Sequence, residues 1–385
     1  MAAPKTIPPA RPPVLAGLNS SEPLVRAGMG APGVSEIEAW SDEDYARATG
    51  LQSILGPAGK VDHGKVDRAA LPAFEPAALR DAYRAMLRAR ALDAAARELV
   101  KVGRIGSYAA TAGTEAAVVG AVAALSLDDV VAPGRRDAAT ALARGYPVAD
   151  LSAQLFGNAN DLARGRRLPG CPALPRALNV LPASSHGAAQ LPHAAGVAWA
   201  ANMQKKPTVA LALLDAIDVD AEDFHTGLNF AGVFRLPVIF VCVNDGKTAP
   251  LLSSETIAVR ALAYGIAGVR VDGGDFLAVV AAVRASAERA RKGGGATLIE
   301  AVLTEGDPLT RLGGWLVAEK ILDRPAESAM RREVDVEVRA AIDGQEPVGP
   351  PPPHVIIENV LARPTRALAE QLDELDRVRD KTVRP

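Results

Sequence analysis

Two stretches of the chain could carry chemistry, and both sit where an apolar run ends. Residues 208–214 (TVALALL) lead into LDAIDVDAEDFH, which gathers Asp215, Asp218, Asp220, Glu222 and Asp223. Residues 236–243 (LPVIFVCV) lead into Asn244-Asp245-Gly246-Lys247. Carboxylate and amide oxygens at neighbouring strand ends are hard ligands suited to Mg²⁺, which commonly bridges to phosphates. Acidic residues that open a helix are also favoured by capping and by the helix dipole, with no metal needed. Asp218, Asp220, Glu222 and Asp223 read mainly that way, whereas Asp215 stands earlier, at the strand end. Arg135-Arg136 follows Ala132-Pro133-Gly134 and either grips a phosphate bidentately or forms a solvated basic turn.

Other constellations fall short. Gly246-Lys247-Thr248 has the end of a phosphate loop, but Val241 stands where its first glycine is required. His186, His193 and His225 lack the spacing of a helical metal pair. Cys171 and Cys242 have no second cysteine at metal spacing, and no serine sits in a G-x-S-x-G elbow.

The elements that must position these residues follow from the pattern. Runs of seven and eight residues without a charge suit strands buried on both faces of a parallel sheet. Between them lies one helix-sized segment, 223–234. Further strands are expected at 269–272 and 297–303, separated by a helix over 276–291 and a turn at 293–295. Repeated strand–helix–strand units predict an α/β fold, a doubly wound, mainly parallel sheet with flanking helices. Ligands of such sheets bind outside the carboxyl ends of the strands. Upstream, Leu79, Tyr83, Met86 and Leu87 give a helical stripe that ends near Gly103.

Three regions are expected: a flexible or wrapping Pro/Ala-rich arm at 1–73, the α/β domain at 74–320, and a helical tail at 321–385. The tail has helices over 323–342 and 355–375, split by the proline break QEPVGPPPP, and reads as packing outside the sheet. The 385 residues carry 43 Lys+Arg against 45 Asp+Glu, with 4% aromatics, which argues against a nucleic-acid grip. Two cysteines make no disulfide framework, and no apolar run reaches the roughly 18 residues of a membrane helix. A reducing, cytoplasmic location is expected.

An ordered series of motifs then resembles a known family. AYRAMLRARALDAAA, Gly113-Thr114-Glu115-Ala116, ALARG at 141–145, QLFG at 154–157, GRRLP at 165–169, AQLP at 189–192, DFHTGLN at 223–229 and GVRVDGGDFLAV at 268–279 follow one another. Together they resemble the alpha subunit of the thiamine-diphosphate-dependent first component of 2-oxoacid dehydrogenase complexes. PPPPHVIIENVLARPTRALAEQL at the C-terminus is similar to the branched-chain, 2-oxoisovalerate type. The resemblance implies a thiamine-diphosphate-binding fold, thiamine diphosphate held through Mg²⁺, and an α₂β₂ assembly with a beta subunit, a homodimer being the alternative. It also implies decarboxylation of a 2-oxo acid with acyl transfer to a lipoyl-bearing acyltransferase.

Carried over residue by residue, the resemblance assigns cofactor contacts to Arg136, Ser185, Asp215 and Asn244, and metal ligands to Asp215 and Asp245. No catalytic residue is assigned. Asp215 matches only with one inserted residue; without it Ala216 takes the ligand position. Lys247 could offer a backbone oxygen, Ala138 replaces a histidine and His186 a proline. In the loop after Leu303 the family has an arginine and a cofactor-facing histidine, where this chain has Glu305 and Leu309. Leucine neither transfers a proton nor stabilises developing charge. A degenerate site is therefore expected: an alpha subunit with weakened or lost cofactor chemistry. Alternatives are an active enzyme rewired through Asp215, Asp245 and Arg136, or a catalytically inactive scaffold or regulatory subunit.

Overall fold

The computed structural model describes residues 40–61, 72, 74–135, 138–183, 186–246, 254–358 and 361–383. Arg136, Ser185, Lys247 and the arm up to residue 39 lie outside the described residues. The helices in chain order are α1 (Asp42–Thr49), α2 (Pro76–Lys101), α3 (Glu115–Ala123), α4 (Ala138–Ala143), α5 (Val148–Phe156) and α6 (Gln190–Met203). They continue as α7 (Glu222–Val233), α8 (Phe276–Arg291), α9 (Pro308–Ala318), α10 (Arg324–Gln345), α11 (Val355–Glu358) and α12 (Arg366–Val383). The strands are β1 (Val130–Ala132), β2 (Ala210–Asp215), β3 (Val238–Asn244), β4 (Ala267–Asp272) and β5 (Thr297–Val302).

The strands pair in parallel in the order β1-β2-β3-β5-β4. This is the mainly parallel, doubly wound sheet expected from the uncharged runs. Successive strand residues point to opposite faces, and here both faces are covered. Leu211, Leu213, Ile239, Val241 and Ile299 enter one core with α2, α3 and α8. Ala212, Leu214, Phe240, Cys242 and Leu298 enter a second core with α6 and α7. That two-sided burial removes the polar alternation of a half-exposed strand. β1 escaped the sequence reading because three residues are too few to show a pattern.

α7 is held close to the segment before β4. A Cβ on Gly232 would lie 2.0 Å from the Tyr264 carbonyl oxygen, so only glycine permits this approach. Gly232→Ala gains about 1 kcal/mol of helix propensity, but forcing the backbones apart costs more. We expect a net loss of about 1–3 kcal/mol in urea denaturation. Unchanged stability would show that the contact can open freely.

The stretch from Trp40 to Val61, counted with the arm above, is docked on the sheet edge. Gln52 forms a parallel bridge to Val271, and the Trp40 indole donates to the Ile266 carbonyl at 3.1 Å. Unpaired edge groups of β4 accept this chain as a further strand would.

Among the described residues, none of the helices after residue 321 joins a strand to the sheet. α10 packs on α2 and α5 through Met330, Val334, Val338 and Ile342, a stripe at a spacing of four. The expected helix over 355–375 is two helices instead, α11 and α12, separated by a break that includes Pro364. No helix among the described residues is long and apolar enough to cross a membrane.

Candidate functional site

The carboxyl ends of β1, β2 and β3 meet the loop before α3 in a narrow cleft. Thr111, Thr114, Gly134, Arg135, Asp215 and Val243 are among its lining residues. Its volume is about 20 Å³, room for about one water.

α2 sets one wall. Asp93, fully buried, accepts from the Thr111 amide at 2.6 Å and pairs with Arg97. Arg90 clamps Glu115 bidentately at 2.5 and 3.0 Å, and Glu115 accepts from the Gly113 amide. Arg90 also reaches Asp307 at 2.9 Å, tying this wall to the start of α9. Glu115 binding holds Arg90 in its charged form. Gly113-Thr114-Glu115 thus owes its residue types to a charged clamp that places Thr111 and Thr114 beside the strand ends.

The opposite wall comes from the turns after β1 and β2. Asp215 ends β2, half-buried, and is in register with Val243 of β3. The chain then makes a short 3₁₀ turn over Ala216–Asp220. In that turn Asp218 is 2% exposed, one oxygen accepting from the Asp215 amide at 3.1 Å. Its other oxygen lies 3.2 Å from an Arg135 guanidinium nitrogen. Asp218 thus serves the 3₁₀ turn, as the third residue of a capping box whose cap is Asp215. It does not serve the start of α7, whose cap Ala221 has no side-chain bond; the ion pair is an addition. Sequence reasoning missed it because β1 and β2, some 80 residues apart, become neighbours only in the sheet. Asp220 pairs at 3.7 Å with Arg260, and His225 lies against Tyr264.

β3 delivers Asn244 and Asp245 to the same end of the sheet. Asn244 is engaged elsewhere than at the cleft: its amide donates to Glu300 at 2.8 Å, and its oxygen accepts from the Gly246 amide at 3.0 Å. Glu300, buried in β5, also accepts from the Ala258 amide at 3.1 Å. Cys242 is fully buried, and burial pushes its thiol well above the ordinary range, so it is no nucleophile at neutral pH.

The loop after β5 turns directly into α9. Asp307 caps it, accepting from the Thr310 amide at 2.9 Å, and Leu309 in the first turn is 2% exposed within the larger core. Beside it Arg311 is buried against Asp272 at 2.8 Å and Asp275 at 4.0 Å, and its guanidinium also donates to the Leu55 carbonyl and Thr304.

A magnesium-bridged diphosphate needs several hard oxygens around one point and free cationic donors. Among the described residues no group of three or more His, Cys, Asp or Glu side chains is disposed to hold a metal. Arg135 is paired with Asp218, and Asn244 with Glu300. Among the described residues the cleft thus presents one carboxylate, Asp215, and an arginine already engaged, and this part of the site does not by itself hold such a group.

The fold and this cleft define a parallel α/β protein whose ligand end is built from charged residues. A family model, dehydrogenase E1 component, matches residues 83–304. The 2-oxoisovalerate dehydrogenase subunit alpha of Bacillus subtilis (strain 168) is 34% identical over 314 residues, covering 74% of this chain and 95% of that one. Arabidopsis thaliana 2-oxoisovalerate dehydrogenase subunit alpha 1, mitochondrial, is 39% identical over 225 residues, 57% of this chain. The match spans about half of that relative, 47% of its length. The pyruvate dehydrogenase E1 component subunit alpha of Bacillus subtilis (strain 168) is 36% identical over 265 residues, 68% of each chain. The chain belongs to the dehydrogenase E1 component family, among its alpha subunits.

Proposed function

We propose that this chain is an alpha subunit of a branched-chain-type 2-oxoacid dehydrogenase first component in which thiamine diphosphate and Mg²⁺ binding is weakened or lost. The observation that carries the reading is Leu309. The resemblance puts a proton-handling histidine at this position; here an apolar side chain is sealed in the core at the first turn of α9. A buried leucine offers neither a proton nor a dipole to a reacting centre. Branched-chain type is supported by 2-oxoisovalerate dehydrogenase relatives and by the C-terminal motif.

Whatever hold on a diphosphate remains would come from Arg136, Ser185 and Asp215, with Asp215 and Asp245 toward the metal. Asn244 would act through Glu300, setting the end of β3. The partner is a beta subunit in an α₂β₂ assembly, which meets a lipoyl-bearing acyltransferase in the cytoplasm. Our division into 1–73, 74–320 and 321–385 belongs to the same proposal.

A second reading, a catalytically inactive scaffold or regulatory subunit, or a homodimer, is favoured by α6 and α7. α6 contains no Asp, Glu, Lys or Arg, and Met203, Phe230 and Val233 nearby are 64%, 42% and 48% exposed. An uncharged face of that kind marks a contact surface.

Calorimetric titration of thiamine diphosphate with Mg²⁺, into the chain alone and with its beta subunit, tests the proposal. Little or no heat from a well-folded complex is the expected result. Tight binding that disappears in Asp215→Ala or Asp245→Ala would overturn it in favour of a rewired, active enzyme.

A further inference from the structure

We propose that Asp218 sets the charge selectivity of the strand-end cleft, acting as an internal counter-ion that holds Arg135 and turns a diphosphate away. The inference rests on the proposed weakening of cofactor binding and supplies its physical cause.

Arg135 lines the cleft immediately after Gly134, and its carbonyl accepts from the Cys171 thiol at 2.7 Å, which anchors the turn. A guanidinium in that place is the natural grip for a phosphate, because its fork matches two oxygens at once. Asp218 already engages it. The carboxylate is 2% exposed and is locked from two sides, by the Arg135 pair at 3.2 Å and the Asp215 amide at 3.1 Å. It is also seated tightly: a Cβ on Gly187 would lie 3.1 Å from its oxygen. Asp218 therefore cannot swing into water without dismantling the Ala216–Asp220 turn.

A diphosphate is larger than the roughly 20 Å³ of this cleft, so it would have to widen the cleft and draw Arg135 from Asp218, leaving a buried carboxylate uncompensated. Arg135 is 34% and Asp218 2% exposed, so the cost lies on the carboxylate side, in leaving a buried charge without its partner. The entering anion would also face the negative charge of Asp218 and, on the cleft wall, that of Asp215. Like charges brought together at a desolvated site are strongly disfavoured. Asp218 thus occupies electrostatically what a phosphate would otherwise occupy.

The test uses the full chain and two probes, inorganic pyrophosphate and thiamine diphosphate, each titrated calorimetrically with and without Mg²⁺. Asp218→Asn keeps an oxygen for the Asp215 amide while removing the charge; Asp218→Ser serves as a second neutral variant should the first fail to fold. Either is expected to bind pyrophosphate about tenfold or more tighter than the unmodified chain. The gain should vanish when Arg135→Gln is added. A neutral variant that binds no tighter, or a gain that survives loss of Arg135, overturns the counter-ion role. Weaker Mg²⁺-dependent binding in the neutral variants also overturns it, by making Asp218 a metal ligand. Tight thiamine diphosphate binding by the unmodified chain instead overturns the proposed function, so the two failures are separable.

Discussion

Arg311→Met is expected to destabilise the fold by about 3–5 kcal/mol, the cost of breaking a buried ion pair from one side. Arg311 is 1% exposed and joins four segments. It pairs with Asp272 at the end of β4 and lies 4.0 Å from Asp275, the cap of α8, while donating to Thr304 after β5 and to Leu55 of the docked arm. Asp275 in turn accepts from the Ile54 and Leu55 amides at 2.6 and 2.5 Å and from Leu277 and Ala278. Methionine fills the volume but leaves Asp272 and Asp275 without the guanidinium that faces them both.

The loss should depend on pH with a definite sign. Burial raises the Asp275 carboxyl above 3.8, even against its amide donors and Arg311. A folded-state pKa above the unfolded one contributes stability that is fully present below about pH 3.8 and is lost as pH rises through the raised value. Removing Arg311 takes away a charge that lowers this pKa, so the raised window widens. The variant's deficit should be largest near neutrality and shrink on acidification, as Asp275 accepts a proton. Urea midpoints measured from pH 7 down to about pH 4 check this; a deficit independent of pH would assign the cost to packing alone.

Glu300→Ala is the second large effect, with about 2–4 kcal/mol expected from leaving buried donors unpaired. Glu300 accepts from the Asn244 side chain and the Ala258 amide and lies 3.7 Å from Arg270. The cost is expected in two places. Global stability falls in urea denaturation, and protection of the 244–246 amides against hydrogen exchange falls further than that of β5. Glu300→Gln retains one acceptor oxygen and should recover about half of the loss. Equal losses in both variants would mean that the carboxylate charge, paired with Arg270, matters more than its hydrogen bonds.

How much of this was legible in advance varies by element. Uncharged runs at 208–214 and 236–243 announced two central strands, because a side chain buried on either face must be apolar at every position. Pro76 at the start of α2 and the three–four stripe through Tyr83 marked that helix, and 276–291 was read to its observed ends. That the ends of β2 and β3 lie side by side was also legible, because parallel topology places them together.

The charged partnerships were not legible. Arg135 with Asp218, Asn244 with Glu300, and Arg311 with Asp272 link residues whose separations in sequence follow no period. A carboxylate that opens a turn looks the same in sequence whether it only caps that turn or also neutralises an arginine across the sheet. Ordering on the β4 edge was equally hidden, since Gln52 is held there by the backbone hydrogen bonds it borrows from Arg270 and Asp272. Local side-chain chemistry and apolar periodicity, properties each segment carries alone, determined the parallel α/β class and the strands and helices with long patterns. Which charges face one another at the strand ends depended on strands brought side by side, and only the tertiary structure decided it.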